Sequence, residues 1–281
     1  MKRQDILYIM MEQITSGQNP KIKHLIQLQQ KSSARRKEGL FVVEGQREVE
    51  HCMNAGYELD SIFTTSEDMG LSMLCKQSLN TDHRPPIIYN VSQNVYEKIA
   101  YRGSTEGVVA IVRERKTSLG DIAPGNDGKA PLYVVLEKVE KPGNLGAILR
   151  SADASGVDAV IVCDPLTDIY NPNIIRGSIG AVFTVPTVTC DSAECIDFLK
   201  AHGVQVLTAQ LQDSNLYYDQ DMTLPTAIVM GTEATGLTDQ WRKAADAHIR
   251  IPMLGKLDSL NVSVSAAILM YEAVRQRTAK S

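Results

Sequence analysis

Two stretches in the C-terminal third carry residues suited to holding a ligand. Gly231-Thr232-Glu233-Ala234-Thr235-Gly236-Leu237 follows an apolar run, and Asp258-Ser259-Leu260-Asn261-Val262-Ser263 follows Ile251-Pro252-Met253-Leu254-Gly255. Both read as strand-to-loop crossings, and ligands of open α/β sheets sit at that edge. Glycine lets backbone approach a ligand there, and Ser or Asn supplies a short hydrogen-bonding arm. Glu233 stands just past a buried run, where a lone carboxylate needs a partner or a function. Ser259 and Asn261 precede a helical pattern, so one of them is expected to cap it. Capping is compatible with ligand contact, because a helix N-terminus has free N–H groups.

Two earlier segments have a similar character. In Lys141-Pro142-Gly143-Asn144-Leu145-Gly146-Ala147-Ile148-Leu149-Arg150, glycines flank Asn144 where strand gives way to helix. Taken alone, Asn144 reads as a helix cap and Arg150 as a solvated helix residue. In Asn171 to Ala181, Gly177 and Gly180 around Ser178 predict a tight bend after a short helix. The Gly-x-Ser-x-Gly spacing of a nucleophile elbow is absent, so Ser178 is not read as a nucleophile. No phosphate-binding loop and no three-glycine dinucleotide fingerprint occurs. Cys52, Cys75, Cys163, Cys190 and Cys195 are scattered, form no CxxC pair and give no zinc spacing with the His residues. They read as reduced, mostly buried thiols, with no metal expected.

The elements that must position these residues fall into two groups. The chain has 281 residues, enough for two domains, with 43% hydrophobic and 22% charged residues, as in an ordinary globular protein. Gly120 to Pro131 is rich in Gly, Pro and Asp without apolar periodicity, and reads as a linker over residues 114–131. Residues 1–13 read as an N-terminal extension, with Met11 a second candidate start. Between them, over residues 14–113, a helix is predicted from Pro20 to Lys37, strands at Leu40–Val43, Leu59–Thr64, Ile87–Tyr89 and Val108–Val112, and helices at Arg47–Ala55 and Ser66–Leu79. After the linker, strands are predicted at Leu132–Leu136, Ala159–Cys163, Val185–Val188, Val204–Ala209, Ala227–Met230 and His248–Ile251. Helices are predicted at Leu145–Ala154, Ala193–Ala201 and Val262–Arg275. These strands are continuous apolar runs, which means burial on both faces and a mostly parallel sheet with helices on each side. The expected class is α/β throughout.

A net charge of −4 argues against wholesale coating of nucleic acid, but steering depends on where charge lies. Lys21, Lys23, Lys31, Arg35, Arg36 and Lys37 fall in a stretch with no acidic residue. That stretch is either a solvated helix face or a surface for phosphate contact. The apolar run from Ile6 to Met11 is too short for a secretory signal core, and no stretch is long enough to span a bilayer. A cytoplasmic location is expected, with no membrane partner.

Together the segments resemble the signature motifs of the SpoU (TrmH-like) family of RNA ribose 2′-O-methyltransferases, within the SPOUT superfamily. The motifs are Asn144-x-Gly-x-x-x-Arg150, then Ser178-x-Gly180-Ala181, then Gly231-x-Glu233-x-x-Gly236 with Ile251-Pro252-Met253 and Ser259-Leu260-Asn261. They cover Leu132 to Gln276, and the family module is placed at residues 132–281. Asn19-Pro20-x-Ile22-Lys23, the basic run and Phe41-Val42-Val43-Glu44-Gly45 more loosely resemble the small L30e-like substrate-binding domain that often precedes this module.

The resemblance implies an α/β fold with a C-terminal trefoil knot, S-adenosyl-L-methionine (AdoMet) as cofactor, and a homodimer with active sites near the interface. It implies a catalytic pocket of Asn144, Arg150, Glu233, Ser259 and Asn261. Backbone around Thr208, Ala209, Gln210, Met230, Gly231, Ile251, Met253 and Leu260 would cradle AdoMet. Arg176 and Ser178 join the basic run as RNA contacts. Arg150 is the family's proposed general base; a guanidinium holds its proton at neutral pH, so a phosphate clamp or oxyanion stabiliser stands as the alternative. Glu233 would orient Arg150 or Asn144. The RNA partner is an rRNA or a tRNA, with rRNA favoured by the extra domain on family analogy. Two other readings compete: a knotted protein that binds RNA without transferring methyl groups, and an unrelated nucleotide-dependent α/β enzyme.

Overall fold

The structure is a computed structural model, and it describes residues 11–66, 68, 72–73, 85–101, 106–122, 128–232 and 235–279. Glu233, Cys75, most of the helix expected at Ser66–Leu79, the first ten residues and the centre of the expected linker lie outside the described residues. The chain divides into two compact units, one of residues 1–115 and 170–180, the other of residues 116–169 and 181–281.

In the first unit the elements run β1 Met11–Ile14, α1 Pro20–Gln30, α2 Ser32–Glu38, β2 Leu40–Glu44, α3 Gln46–Asn54, β3 Leu59–Thr64, β4 Ile87–Val91, α4 Gln93–Ile99 and β5 Val108–Arg113. The five strands form one sheet in the order β1-β4-β3-β5-β2. β1 and α4 are not predicted from sequence. β1 is a four-residue edge strand that forms by parallel pairing with β4, a partner far along the chain. The single helix expected from Pro20 to Lys37 is two. Asn19 caps α1, accepting from the Lys21 N–H at 2.9 Å, with Pro20 in the first turn. Lys31 then turns extended (φ −117°, ψ 111°) and separates α1 from α2. Ile22, Leu25 and Leu28 of α1 pack with Phe63, Tyr89, Val109 and Ile111 on one face of the sheet.

In the second unit come β6 Leu132–Glu137, α5 Pro142–Ser155 and β7 Ala159–Cys163. The chain then supplies α6 Pro172–Gly177 to the first unit before returning as α7 Ala181–Thr184, β8 Thr187–Cys190, α8 Ser192–Ala201, β9 Gln205–Ala209 and β10 Asn215–Leu216. It ends with β11 Thr226–Met230, α9 Asp239–Ala244, β12 Ala247–Arg250 and α10 Val262–Ala279. The seven strands lie in the order β10-β12-β9-β11-β6-β7-β8, and every pair is parallel. β6, β7 and β11 are buried along their whole length, as their continuous apolar sequences require. α8 and α9 cover one face, where Leu199 and Trp241 meet Tyr133, Val135, Ile161 and Val229. α5 and α10 pack on each other and touch β7 and β11, outside that cluster. Part of the stretch read as linker is anchored, since Leu119 and Ile122 are buried in the same core.

α5 starts three residues before the predicted Leu145, because Pro142 occupies its first turn. β8 lies two residues later than predicted, because Val185 still bonds back to Ala181 at the end of α7 and Pro186 intervenes.

Segment 170–180 is fastened in the first unit by Tyr170. Its ring stacks on Phe41 (centroids 4.2 Å apart) and its hydroxyl donates to the Arg115 carbonyl at 3.0 Å. Ile174 and Ile175 of α6 are buried. Ile179 follows in the left-handed region (φ 57°), an uncommon conformation for a β-branched residue.

Candidate functional site

At the carboxyl edge of the parallel sheet, the first and third sequence motifs meet. The Asn261 amide donates to Asn144 Oδ1 at 3.1 Å, across 117 residues of sequence. Asn144 sits in the first turn of α5, so it is not the cap expected from sequence; Lys141 holds that position. Its side chain is thereby turned to a tertiary partner. Asn261 is the residue that caps α10: its Oδ1 accepts from the Ser263 N–H at 3.0 Å and from the Ser263 hydroxyl at 2.6 Å. Ser259 does not cap; its hydroxyl donates to Asp258 at 3.2 Å, and it is exposed.

Asn144 lines a cavity together with Met230, Gly231, Thr232, Val262, Leu136 and Ile148. Met230 ends β11 and Gly231 begins the following loop. That loop closes on itself: Thr232 and Gly236 exchange two backbone hydrogen bonds, and Thr232 Oγ1 accepts from the Thr235 N–H. Gly231 is needed for this closure. A Cβ there would overlap the Gly236 carbonyl and the Leu237 nitrogen. The close approach anticipated at Gly231 is therefore made, in this chain, by its own backbone. Glu233 lies outside the described residues.

Sequence reasoning missed Glu137. It ends β6, is 2% exposed, and lines the same cavity. Both its oxygens accept from Thr238, one from the backbone N–H at 2.8 Å and one from the hydroxyl at 2.7 Å. Thr238 caps α9. Glu137 therefore ties the far end of the Gly231–Leu237 loop to the end of β6. The available sequence signal was a carboxylate closing the apolar run Leu132–Leu136.

The remaining residues expected around AdoMet stand at the ends of neighbouring strands. Thr208 and Ala209 pair with His248 and Ile249 of β12, and the Gln210 N–H donates to the Ile249 carbonyl at 3.0 Å. Thr208 is fully buried and its hydroxyl is engaged with His248 Nδ1 at 2.6 Å, leaving only backbone for a ligand. Gln210 Oε1 is buried with no hydrogen-bond partner among the described residues. A buried amide oxygen without a partner costs about 1–3 kcal/mol, so it suits a ligand that brings a donor. Ile251 and Met253 are half-buried just beyond β12, while Leu260 is 41% exposed. Of the residues expected around AdoMet, Met230 and Gly231 line the cavity and the rest do not; its apolar walls, and the orphan acceptor at the neighbouring strand end, suit AdoMet, which has apolar, cationic and donor parts.

Arg150 does not join this cavity. It is exposed on α5, and at about 100° per residue its six-residue offset from Asn144 puts it some 120° away around the helix.

In the first unit, the basic residues separate into two sets. Lys23, Lys31, Arg36 and Lys37 are exposed. Arg35 is corrected from the expected RNA contacts: it is 4% exposed, and its guanidinium donates to the carbonyls of Leu28 at 2.6 Å and Gln29 at 3.2 Å. It ties α2 to the C-terminal turn of α1, a structural task. Lys21 is paired with Glu12, and its ammonium lies 4.5 Å from the Tyr89 ring centre. The hydrogen bond to Glu12 raises its pKa. Ser178 is likewise corrected: it is 1% exposed and its hydroxyl donates to the Ile175 carbonyl at 3.0 Å. Arg176 instead lies 3.5 Å over the ring of Tyr101, which is 64% exposed and was not singled out in sequence.

No helix among the described residues is long and apolar enough to cross a membrane. Residues 131–271 match the SpoU rRNA Methylase family, and residues 19–110 match the MRM3-like substrate binding domain. The chain is 28% identical to the Bacillus subtilis 23S rRNA (guanosine(2553)-2′-O)-methyltransferase RlmP, over 93% of this chain and 98% of that protein. It is 31% identical to a putative TrmH family tRNA/rRNA methyltransferase of Staphylococcus haemolyticus, over 84% of this chain and 96% of that one. An AdoMet-bound rRNA methyltransferase from Sinorhizobium meliloti superposes with a TM-score of 0.85 at 29% identity, covering 95% of this chain and 98% of that structure. With motifs, fold and strand-edge site in agreement, the chain belongs to the SpoU rRNA Methylase family.

Proposed function

We propose that this protein transfers a methyl group from AdoMet to a ribose 2′-hydroxyl of RNA, with a ribosomal RNA as substrate. The observation that carries the reading is the Asn144–Asn261 hydrogen bond beside a cavity lined by Met230 and Gly231. It brings the first and third motifs together with the strand end that would hold the cofactor. Relatives named as 23S rRNA 2′-O-methyltransferases support the substrate class. The trefoil knot belongs to the same reading, supported by the fold likeness to SpoU methyltransferases.

When bound, AdoMet supplies a methyl on a cationic sulfur that an aligned ribose oxygen can take. The chain's own task is alignment and the handling of one proton. Asn144 and Asn261 fix each other and present polar groups beside the cavity. Glu137 holds the Gly231–Leu237 loop in place. Gln210 Oε1 would accept a hydrogen bond from the cofactor. Arg150 acts as a clamp on RNA phosphate and on the developing oxyanion, since a guanidinium holds its proton.

The active form is a homodimer. α10 carries apolar residues around its whole circumference, and Val264 (47%) and Tyr271 (49%) remain exposed in a single chain. A second copy covers that face and brings its Arg150 to the cavity that lacks one. In the first unit, Lys23, Lys31, Arg36 and Lys37 contact phosphates, and the stacked Arg176–Tyr101 pair offers a platform for an unpaired base.

Two measurements test this. Ribose methylation mapped across total RNA, with and without the gene, should show one or a few lost sites, all in rRNA. An unchanged map removes the proposal. Mixing Arg150→Ala with Asn261→Ala protein should restore up to about a quarter of wild-type activity through mixed dimers, if Arg150 serves the partner's cavity. No restoration places Arg150 outside a shared site.

A further inference from the structure

The three cysteines of the second unit form one cluster, in which Cys163 joins Cys190 and Cys195 from 27 residues or more away. Cys163 ends β7, Cys190 ends β8, and Cys195 lies early in α8. Cys163 and Cys190 are register partners on adjacent parallel strands, and their sulfurs are 3.9 Å apart. All three sulfurs lie within 4.8 Å of one another, and all are free thiols. Thiolates bound at about 2.3 Å around a tetrahedral ion stand about 3.8 Å apart, so this triangle needs little contraction to accept one.

The neighbours of the cluster are fixed in place. Asp164 follows Cys163 directly and lies in the left-handed region (φ 49°), which Asp tolerates better than most residues. Its carboxylate accepts from the Ser192 hydroxyl at 2.6 Å, and Ser192 accepts in turn from the Trp241 indole N–H at 3.0 Å. Asp191 caps α8 through the Glu194 N–H at 2.8 Å. Two fixed carboxylates thus flank three sulfurs. Cys163 and Cys195 are buried, whereas Cys190 is half-buried and gives access from the surface.

We propose that Cys163, Cys190 and Cys195 form a three-thiolate site for a soft, thiophilic cation, Zn²⁺ or Cu⁺. As each metal–sulfur bond forms, the thiol releases its proton to solvent, so Zn²⁺ displaces three protons and leaves a complex of net charge −1. β8 is the edge strand of the sheet. The bound ion would therefore staple that edge to β7 and α8, away from any role in methyl transfer. Sequence alone did not join the three, because Cys163 reaches Cys190 through the register of adjacent strands rather than through a short motif.

The test uses the full-length protein, stripped of metal and kept reduced with a non-thiol reductant. Titration with Zn²⁺, Cu⁺ and, as a spectroscopic probe, Cd²⁺ should give one ion per chain, a thiolate-to-cadmium ultraviolet band sized for three sulfurs, and a raised Tm. The ion retained in competition between Zn²⁺ and Cu⁺ identifies the preferred one. Cys190→Ser, at the half-buried position, should weaken binding by more than the roughly tenfold that loss of a supporting contact costs. Cys52→Ser, in the other unit, should leave binding unchanged. Absence of stoichiometric binding, full affinity in Cys190→Ser, or a Cys163–Cys190 disulfide in place of a bound ion overturns the proposal.

Discussion

At the scale of single residues, Arg150 and Glu137 make opposite demands on an experiment. Arg150 is exposed and outside the cavity, so its removal should leave cofactor binding alone. We expect Arg150→Ala to lower methyl transfer by about a hundredfold to a thousandfold, the usual loss for one oxyanion-stabilising group, with the AdoMet Kd within about twofold of wild type. Single-turnover rates and calorimetry on the same protein check both halves. Glu137 is buried and accepts two hydrogen bonds from Thr238. In Glu137→Gln one of those acceptors becomes an NH₂ donor. The loss should be about 1.5–3 kcal/mol of stability, the range for a hydrogen bond to a charged group, together with weaker AdoMet binding. If stability falls but AdoMet binds as before, Glu137 supports the fold without positioning the loop.

At the scale of elements, the loop between β11 and α9 carries the clearest backbone constraint. Thr232 and Gly236 pair across it, and the Gly236 backbone fills the space a Gly231 side chain would need. Because the obstruction is backbone, it cannot rotate aside. Gly231→Ala should therefore destabilise by about 3 kcal/mol or open the loop, and either outcome should be visible in the Tm and in AdoMet affinity. A wild-type Tm with unaltered affinity would show that the loop is looser than its pairing indicates. The same logic separates α1 from α2. The extended Lys31 ends one helix, and buried Arg35 secures the join by donating to α1's last carbonyls. One basic residue of the run is thus spent on structure while its neighbours stay at the surface.

At the scale of the whole molecule, a net charge of −4 coexists with exposed Lys23, Lys31, Arg36 and Lys37 on one unit. Replacing these four by Ala should weaken RNA binding across sequences and flatten its salt dependence. Each lost phosphate contact lowers the slope of log K against log salt by about 0.7–0.9. Filter binding across salt concentrations measures this. Arg35→Ala, by contrast, should act through stability, because its charge never reaches the surface. An unchanged slope in the fourfold variant would remove this face from the RNA interface.

Apolar runs and motif order were enough, in sequence, to give the α/β class, the parallel sheet and the family. A strand buried on both faces must be apolar throughout, and residues that end such strands must lie along one edge. Sequence also named Asn144, Asn261 and Gly231, because glycines and small polar residues at strand ends stand out in an apolar background, while Met230 came from the family resemblance. It could not assign partners, which depend on contacts between residues distant in sequence. Only the tertiary structure joined Asn144 to Asn261, turned Arg35 and Ser178 inward, and set Glu137 against Thr238. Only the register of β7 and β8, with α8 packed against β7, gathered Cys163, Cys190 and Cys195. Local pattern reports whether a residue is buried, whereas the packing of separate elements decides what each buried or polar group touches.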